Sequence, residues 1–147
     1  MSAPPLAIRP AAADDLPYVE RLLARAGLPH EDVRSSPVEF RVGTADGDRV
    51  AVGGVEPAGD AGLLRSVAVD DAVRGRGYGT AMCDELEAAA ARDGVDALYL
   101  LTTTAAAFFA DRGYGAVPRS DAPAAVRGTR EFAEVCPDSA TCMRKRL

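Results

Sequence analysis

Helically spaced apolar positions take turns along this chain with short apolar runs bounded by turn residues. Leu16, Val19, Leu22, Leu23 and Ala26 recur at helical spacing, so a helix is expected to about Arg25, ended by Gly27 and Pro29. Asp14 or Asp15 stands where its N-cap would be. Residues 6–11, "LAIRPA", read as a short strand ahead of it, and the polar stretch 29–37 reads as loop or short helix. Three strands in a meander follow at 39–45, 49–57 and 62–69. Asp46-Gly47-Asp48 and Ala58-Gly59-Asp60 join them, and Asp-Gly or Gly-Asp pairs between apolar runs are hairpin signals.

A glycine-rich stretch at 74–79 then opens a helix to about Arg92, with Met82, Leu86, Ala89 and Ala90 on its face. Residues 97–103 have the continuous apolar character of a buried strand. A short helix over 105–112 stops at Gly113, a natural C-terminal cap. "YGAVP" is a brief strand. Asp121 is expected to cap a last helix with Pro123 in its first turn and Ala125, Val126, Phe132 and Ala133 on its apolar face. "ATCMRKRL" closes the chain as a strand. This order describes an α/β (α+β) fold with a mixed sheet of six or seven strands, in one domain over residues 1–147.

Composition narrows the class. The chain has 147 residues, 48% of them hydrophobic and 27% charged, enough for one domain with a real core. No apolar run is long enough to span a bilayer, and the first residues lack the basic-then-apolar pattern of a secretory signal. The net charge of −5 disfavours nucleic acid as a partner. Cys83, Cys136 and Cys142 are odd in number and irregular in spacing. That fits a reducing cytoplasm, with small core residues rather than disulfides or a metal site.

The chemistry concentrates in Arg74-Gly75-Arg76-Gly77-Tyr78-Gly79, between a strand and a helix. Unpaired N–H groups and the dipole at a helix start favour an anion, and glycines let the backbone approach it. Arginines add charge and forked donors. The P-loop pattern needs a lysine that is absent here, and GxGxG misses the dinucleotide fingerprint by one residue. A turn that merely starts a helix is the plain alternative.

Arg74 to Gly79 matches the [QR]xxGx[GA] loop of the GNAT superfamily of acyl-CoA-dependent N-acyltransferases, and the order of elements from Leu6 onward resembles that fold. The C-terminal half, with "LTT", "FFADRGY" and "TREF" followed by Cys136 and Cys142, resembles the arsenic-resistance-associated N-acetyltransferases. These are similar in turn to amino-acid N-acetyltransferases of the N-acetylglutamate-synthase type. The resemblance implies a mostly antiparallel sheet with helices on both faces and a splay between the fourth and fifth strands. It implies acetyl-CoA as cosubstrate, with its pyrophosphate on the N–H groups of Gly75, Arg76, Gly77, Gly79 and Thr80 and flanked by Arg74 and Arg76. Its pantetheine arm would lie along Val67 and Val69. No metal is implied.

Acetyl transfer needs a neutral amine, a thioester held in line and help for the developing oxyanion. A backbone N–H around Val67 and Val69 is the expected oxyanion donor. Many relatives carry a tyrosine acid where this chain has Phe109, so the thiolate is expected to take its proton from water. Tyr78, Tyr99 and Tyr114 are read as packing residues. Glu56, at a strand end, is the first candidate base, with a solvated hairpin carboxylate as the alternative. His30 is expected to border the acceptor pocket. Arg65, inside an apolar strand, needs a partner or a pocket; it grips an acceptor carboxylate, or it lies on the open face, or it pairs with Asp or Glu. Arg127 and Arg130 are further candidates for the carboxylate. The expected acceptor is a small amino-acid-like amine, with another amine (protein N-terminus, polyamine, aminoglycoside) or a non-catalytic acyl-CoA-binding module as alternatives. The expected state is a monomer or homodimer.

Overall fold

The structure, a computed structural model, describes residues 5–135 and 139–147. These residues form a seven-stranded sheet in the order β1-β2-β3-β4-β5-β7-β6. The strands are β1 (Ala7–Pro10), β2 (Glu39–Ala45), β3 (Asp48–Ala58), β4 (Ala61–Val69), β5 (Ala97–Thr102), β6 (Gly115–Ala116) and β7 (Thr141–Arg146). All pairings are antiparallel except β4 with β5. The helices are α1 (Leu16–Arg25), α2 (Tyr78–Arg92), α3 (Ala106–Asp111) and α4 (Ala124–Arg127). Among the described residues no helix is long and apolar enough to cross a membrane.

The sheet is covered on both faces. Tyr78, Met82, Cys83, Leu86 and Ala90 of α2 pack on Ala51, Val55, Leu64, Leu98 and Leu100. On the other face Val19, Leu22 and Leu23 of α1 meet Phe40, Val42, Val52 and Ala68. Beside them Val126 and Phe132 cover Leu63 and Tyr99. α2 comes close because Gly53 lies beneath it: a Cβ there would sit 2.7 Å from Leu86 Cδ1 and 2.9 Å from Met82 Cγ. Cys83 and Cys142 are buried in two different clusters, and burial pushes the Cys83 thiol up to about 12. Cys136 lies outside the described residues.

Two local expectations are corrected. Asp15 does not cap α1 with its side chain. Its buried carboxylate instead accepts from the Ala12 N–H at 2.7 Å, Arg9 Nη2 at 2.9 Å and Arg49 Nε at 2.9 Å. Those contacts hold it well below the usual carboxylate range. The last helix is also shorter than its pattern suggests. Asp121 closes a 3₁₀ turn, Arg119–Asp121, and Pro123 precedes a four-residue α4. Thr129 Oγ1 donates back to the Val126 carbonyl at 2.7 Å and helps to stop the helix. Glu131–Val135 is a separate π-type turn, so Val126 and Phe132 are buried while Ala125 and Ala133 are exposed.

Candidate active site

β4 and β5 are paired only over Ala61–Ala97, Gly62–Leu98 and Leu63–Tyr99. Beyond that point the strands part, and a cleft of about 780 Å³ opens between them. Its walls are residues 64–69 of β4 and 100–105 at the end of β5, with Phe108 and Phe109 of α3. Val67 and Val69 line it on the β4 side.

One end of the cleft is the glycine loop, with Arg74, Gly75, Gly77, Gly79 and Thr80 in its lining. Gly75 and Gly77 have φ of +79° and +83°, which any side chain would strain. Gly79 has ordinary backbone and room for a Cβ, 3.8 Å from Val69 Cγ2, so glycine here leaves the space above the helix start open. The hydrogen-bond ladder of α2 begins with Ala81 N–H donating to Gly77 O at 3.0 Å, so Gly79 and Thr80 present their N–H groups ahead of it. Arg74 is exposed and its Nε lies 2.9 Å from Asp71 Oδ1. Arg76 is exposed and outside the lining. The loop has the backbone form of an anion cradle, with the exposed side chains of Arg74 and Arg76 beside it.

The other end is ionic and buried. Arg65 Nη1 and Nη2 donate to Asp32 Oδ2 and Oδ1 at 2.8 and 3.0 Å, and its Nε donates to Ser66 Oγ at 3.2 Å. Glu56 Oε1 lies 3.6 Å from Nη1 and Glu131 Oε1 lies 3.5 Å from Nε. All four ionic residues are at most 5% exposed. The fork of Arg65 is therefore taken up by Asp32, the reading in which it pairs with an Asp or Glu. Glu56 stands behind Arg65, outside the cleft lining, whereas Glu131 is part of the lining. Burial raises the Glu131 carboxyl to about 7, with Arg65 opposing and Asp32 and Glu56 adding to the rise. Burial raises Glu56 too, against the pull of Arg65.

A β-bulge places this cluster. Val52 pairs with Ala68 and Gly54 with Arg65, so Gly53 alone faces Ser66 and Val67. Ser66 takes a left-handed φ of +63°, unusual for a residue with a Cβ. The extra residue reverses the alternation of sides. Arg65 points to the α1 face with Asp32, while Val67 and Val69 pack toward α2.

A smaller hollow of about 290 Å³ adjoins the cleft and shares Gly27, Leu28 and Pro29 with it. His30, Glu31, Asp32 and Arg130 complete it. His30 Nδ1 lies 3.2 Å from the Leu28 carbonyl, which suits the tautomer protonated at Nδ1. Arg127 lies outside both hollows, its Nε donating to the Ala122 carbonyl at 3.0 Å. Phe109 is buried edge-on to Phe108 and Tyr114. Tyr114 donates to Glu87 Oε2 at 3.1 Å, and burial together with that carboxylate raises its phenol. Tyr99 is buried in the cluster with Val126, away from the cleft lining, and Tyr78 lines the cleft as part of the α2 core. Among the described residues no group of His, Cys, Asp and Glu is arranged to hold a metal.

Asp32 and Glu131 are absent from the sequence-derived candidates. An arginine inside an apolar strand signals that some carboxylate must meet it, but not which one.

Solved structures share this architecture. N-acetylglutamate synthase from Neisseria gonorrhoeae, complexed with coenzyme A and N-acetyl-glutamate, superposes with a TM-score of 0.83 at 22% identity, over 97% of this chain and 35% of that one. The chain thus spans about a third of the length of that relative. Rv2747 from Mycobacterium tuberculosis, in complex with CoA and NLQ, gives 0.78 at 24% identity over 96% and 99% of the two chains. The ribosomal-protein-S18-alanine N-acetyltransferase from Escherichia coli gives 0.74 at 19% identity over 97% and 94%. No curated protein sequence matches the chain. The family model for the acetyltransferase (GNAT) domain matches residues 37–115, from the start of the meander past the glycine loop to β6. That match covers more than half of the sequence, and the chain belongs to the GNAT acetyltransferase family.

Proposed function

We propose that residues 1–147 act as one N-acetyltransferase domain that moves an acetyl group from acetyl-CoA to the amine of a small amino-acid-like acceptor, by direct attack with both substrates bound. The observation that carries this reading is the cleft between β4 and β5, which runs from a backbone anion cradle to a buried carboxylate cluster.

The N–H groups of Gly75, Arg76, Gly77, Gly79 and Thr80 would hold the pyrophosphate, with Arg74 and Arg76 at its flanks. The edge of β4 beyond Leu63 has no strand partner on the β5 side, so its main chain at Val67 and Val69 is available to the pantetheine amides. An N–H there would donate to the thioester oxygen as negative charge develops on it. Phe109 has no proton to give, so the departing sulfur takes one from water. For the acceptor carboxylate, Arg130 and His30 are candidates because they line the adjoining hollow, while the fork of Arg65 already holds Asp32. The C-terminal resemblance to arsenic-resistance-associated acetyltransferases adds arsenical amino-acid analogues to the candidate acceptors. Buried, free Cys83 and Cys142 suit work in a reducing cytoplasm.

A second reading has one observation in its favour. Three carboxylates face a single guanidinium at the acceptor end, which favours a polyamine or another cationic acceptor. Thiol release from acetyl-CoA, measured across amino acids, their amides, an arsenical amino acid and polyamines, separates the two. Amino acids are expected to outpace their amides, and Arg130→Ala should raise KM for the acids alone. Equal use of acid and amide, or a polyamine as the best acceptor, overturns the amino-acid reading.

A further inference from the structure

We propose that Glu131 is the catalytic base of this enzyme, receiving the acceptor's ammonium proton on Oε2. The assignment rests on the acetyltransferase reading above and adds to it a residue on the turn before β7.

The geometry points to Glu131 rather than Glu56. Of the carboxylates in the buried cluster, Glu131 alone is in the lining of the cleft. Asp32 gives both oxygens to Arg65, and Glu56 lies behind that arginine. Glu131 is 4% exposed, and its Oε1 lies toward Arg65 Nε at 3.5 Å. Its Oε2, like Glu56 Oε1, is buried without a hydrogen-bond partner among the described residues, and of the two carboxylates only Glu131 belongs to the cleft lining. A buried, unpaired acceptor atom on a residue of the cleft wall is costly unless a donor reaches it, and an ammonium group is such a donor.

The groups facing Glu131 explain why it can gain and lose a proton near neutrality. Asp32 from the loop after α1 and Glu56 from β3 oppose its ionisation, and Arg65 from β4 favours it. Burial outweighs the arginine, so the carboxyl titrates near the pH at which a base is most useful. In the reaction one N–H bond of the ammonium breaks, its electron pair stays on nitrogen, and the proton passes to Oε2. The nitrogen pair then forms the N–C bond to the thioester carbonyl carbon. The C–S bond breaks with its pair on sulfur, and the second N–H proton lost from nitrogen reaches that sulfur through water. Glu131 returns its proton to solvent, so the products are the acetamide, free thiol and one proton.

The test uses the full chain, acetyl-CoA and an equimolar mixture of the standard amino acids other than cysteine as acceptor. Glu131→Gln keeps the shape and removes the base. Its maximal rate of thiol release should fall about a hundredfold or more, with CoA affinity by calorimetry unchanged. The parent rate should rise about tenfold per pH unit up to a break near 7 and then level. The variant should lack that break and climb into the alkaline range as the amine itself deprotonates. Glu131→Asp should recover part of the rate and restore a break. A Glu131→Gln protein within threefold of the parent, or one with the parent's pH profile, overturns the assignment, as does loss of rate in Glu56→Gln alone. If Glu131→Gln does not fold, the parent profile decides, and a flat rate between pH 6 and 8 overturns it. A parent that releases no thiol with any amine overturns the acetyltransferase reading itself.

Discussion

Glu131 has one neighbour that favours its charge and two that oppose it. Arg65 pulls the carboxyl toward ionisation, while burial, Asp32 and Glu56 push its pKa up to about 7. In the unfolded chain the same group titrates near 4.3. A carboxyl raised on folding contributes stability below its unfolded pKa and loses that contribution as pH rises through its folded value. Above pH 7 the ionised Glu131 therefore weighs against the fold, by about 4 kcal/mol at 1.36 kcal/mol per pKa unit. Glu131→Gln should be more stable than the parent at pH 8 by up to that amount. The gain should disappear toward pH 4. Urea denaturation at the two pH values checks this, and an equal difference at both would mean that the carboxyl titrates normally. Here activity and stability pull in opposite directions, as expected for an ionisable group held ready in a cleft.

At the scale of elements, the start of α2 and the bulge in β4 do most to shape the site. Gly77 sits at the N-cap of α2 with φ of +83°. Gly77→Asp would strain the backbone, yet place a negative charge where the helix dipole favours one. These effects offset, so the variant should melt within a few degrees of the parent. Its carboxylate would meanwhile compete with phosphate for the same N–H donors. Calorimetry should show CoA affinity falling by about tenfold or more, since each charge-assisted hydrogen bond contributes about 1.5–3 kcal/mol. A Gly77→Asp protein that binds CoA as tightly as the parent would place the phosphate site elsewhere. The bulge acts differently. By giving Ser66 a left-handed conformation it puts an arginine and two valines, all two residues apart, on opposite faces of one strand.

The whole molecule is two sheet segments joined at three residue pairs. β1–β4 form one and β5, β7 and β6 the other, with α2 spanning the connection between them. The cleft begins where that pairing stops, so it exists only when both segments are folded and in place. A ligand filling it binds the native state and not the unfolded chain, and must raise the melting temperature. CoA at a hundredfold excess over its Kd should add about 2.7 kcal/mol. For a chain of this size that is a rise of about 5–10 °C in Tm. No shift with CoA or acetyl-CoA at millimolar concentration would show a GNAT fold that has lost its ligand.

By itself the sequence determined what local physics controls. The meander strands agree with their apolar runs to within about a residue at each end, because the two-residue turns between them leave little freedom. The glycine loop and the helix start after it were readable because a glycine turn opening a helix is a backbone device, written in consecutive residues. Helix α2 and the turn at Gly113, with φ of +96°, follow for the same reason. The buried cluster was decided only in three dimensions. Asp32, Glu56, Arg65 and Glu131 come from four separate segments, and nothing local in "HEDVRSSP" or "TREF" says that they meet. The bulge at Ser66 was equally hidden, since it comes from matching β4 against Gly53 beneath the close approach of α2. One inserted residue reverses every side chain beyond it. A charged residue's partner depends on which distant segments the packed sheet brings within a few ångströms, whereas a helix start needs only its own neighbours.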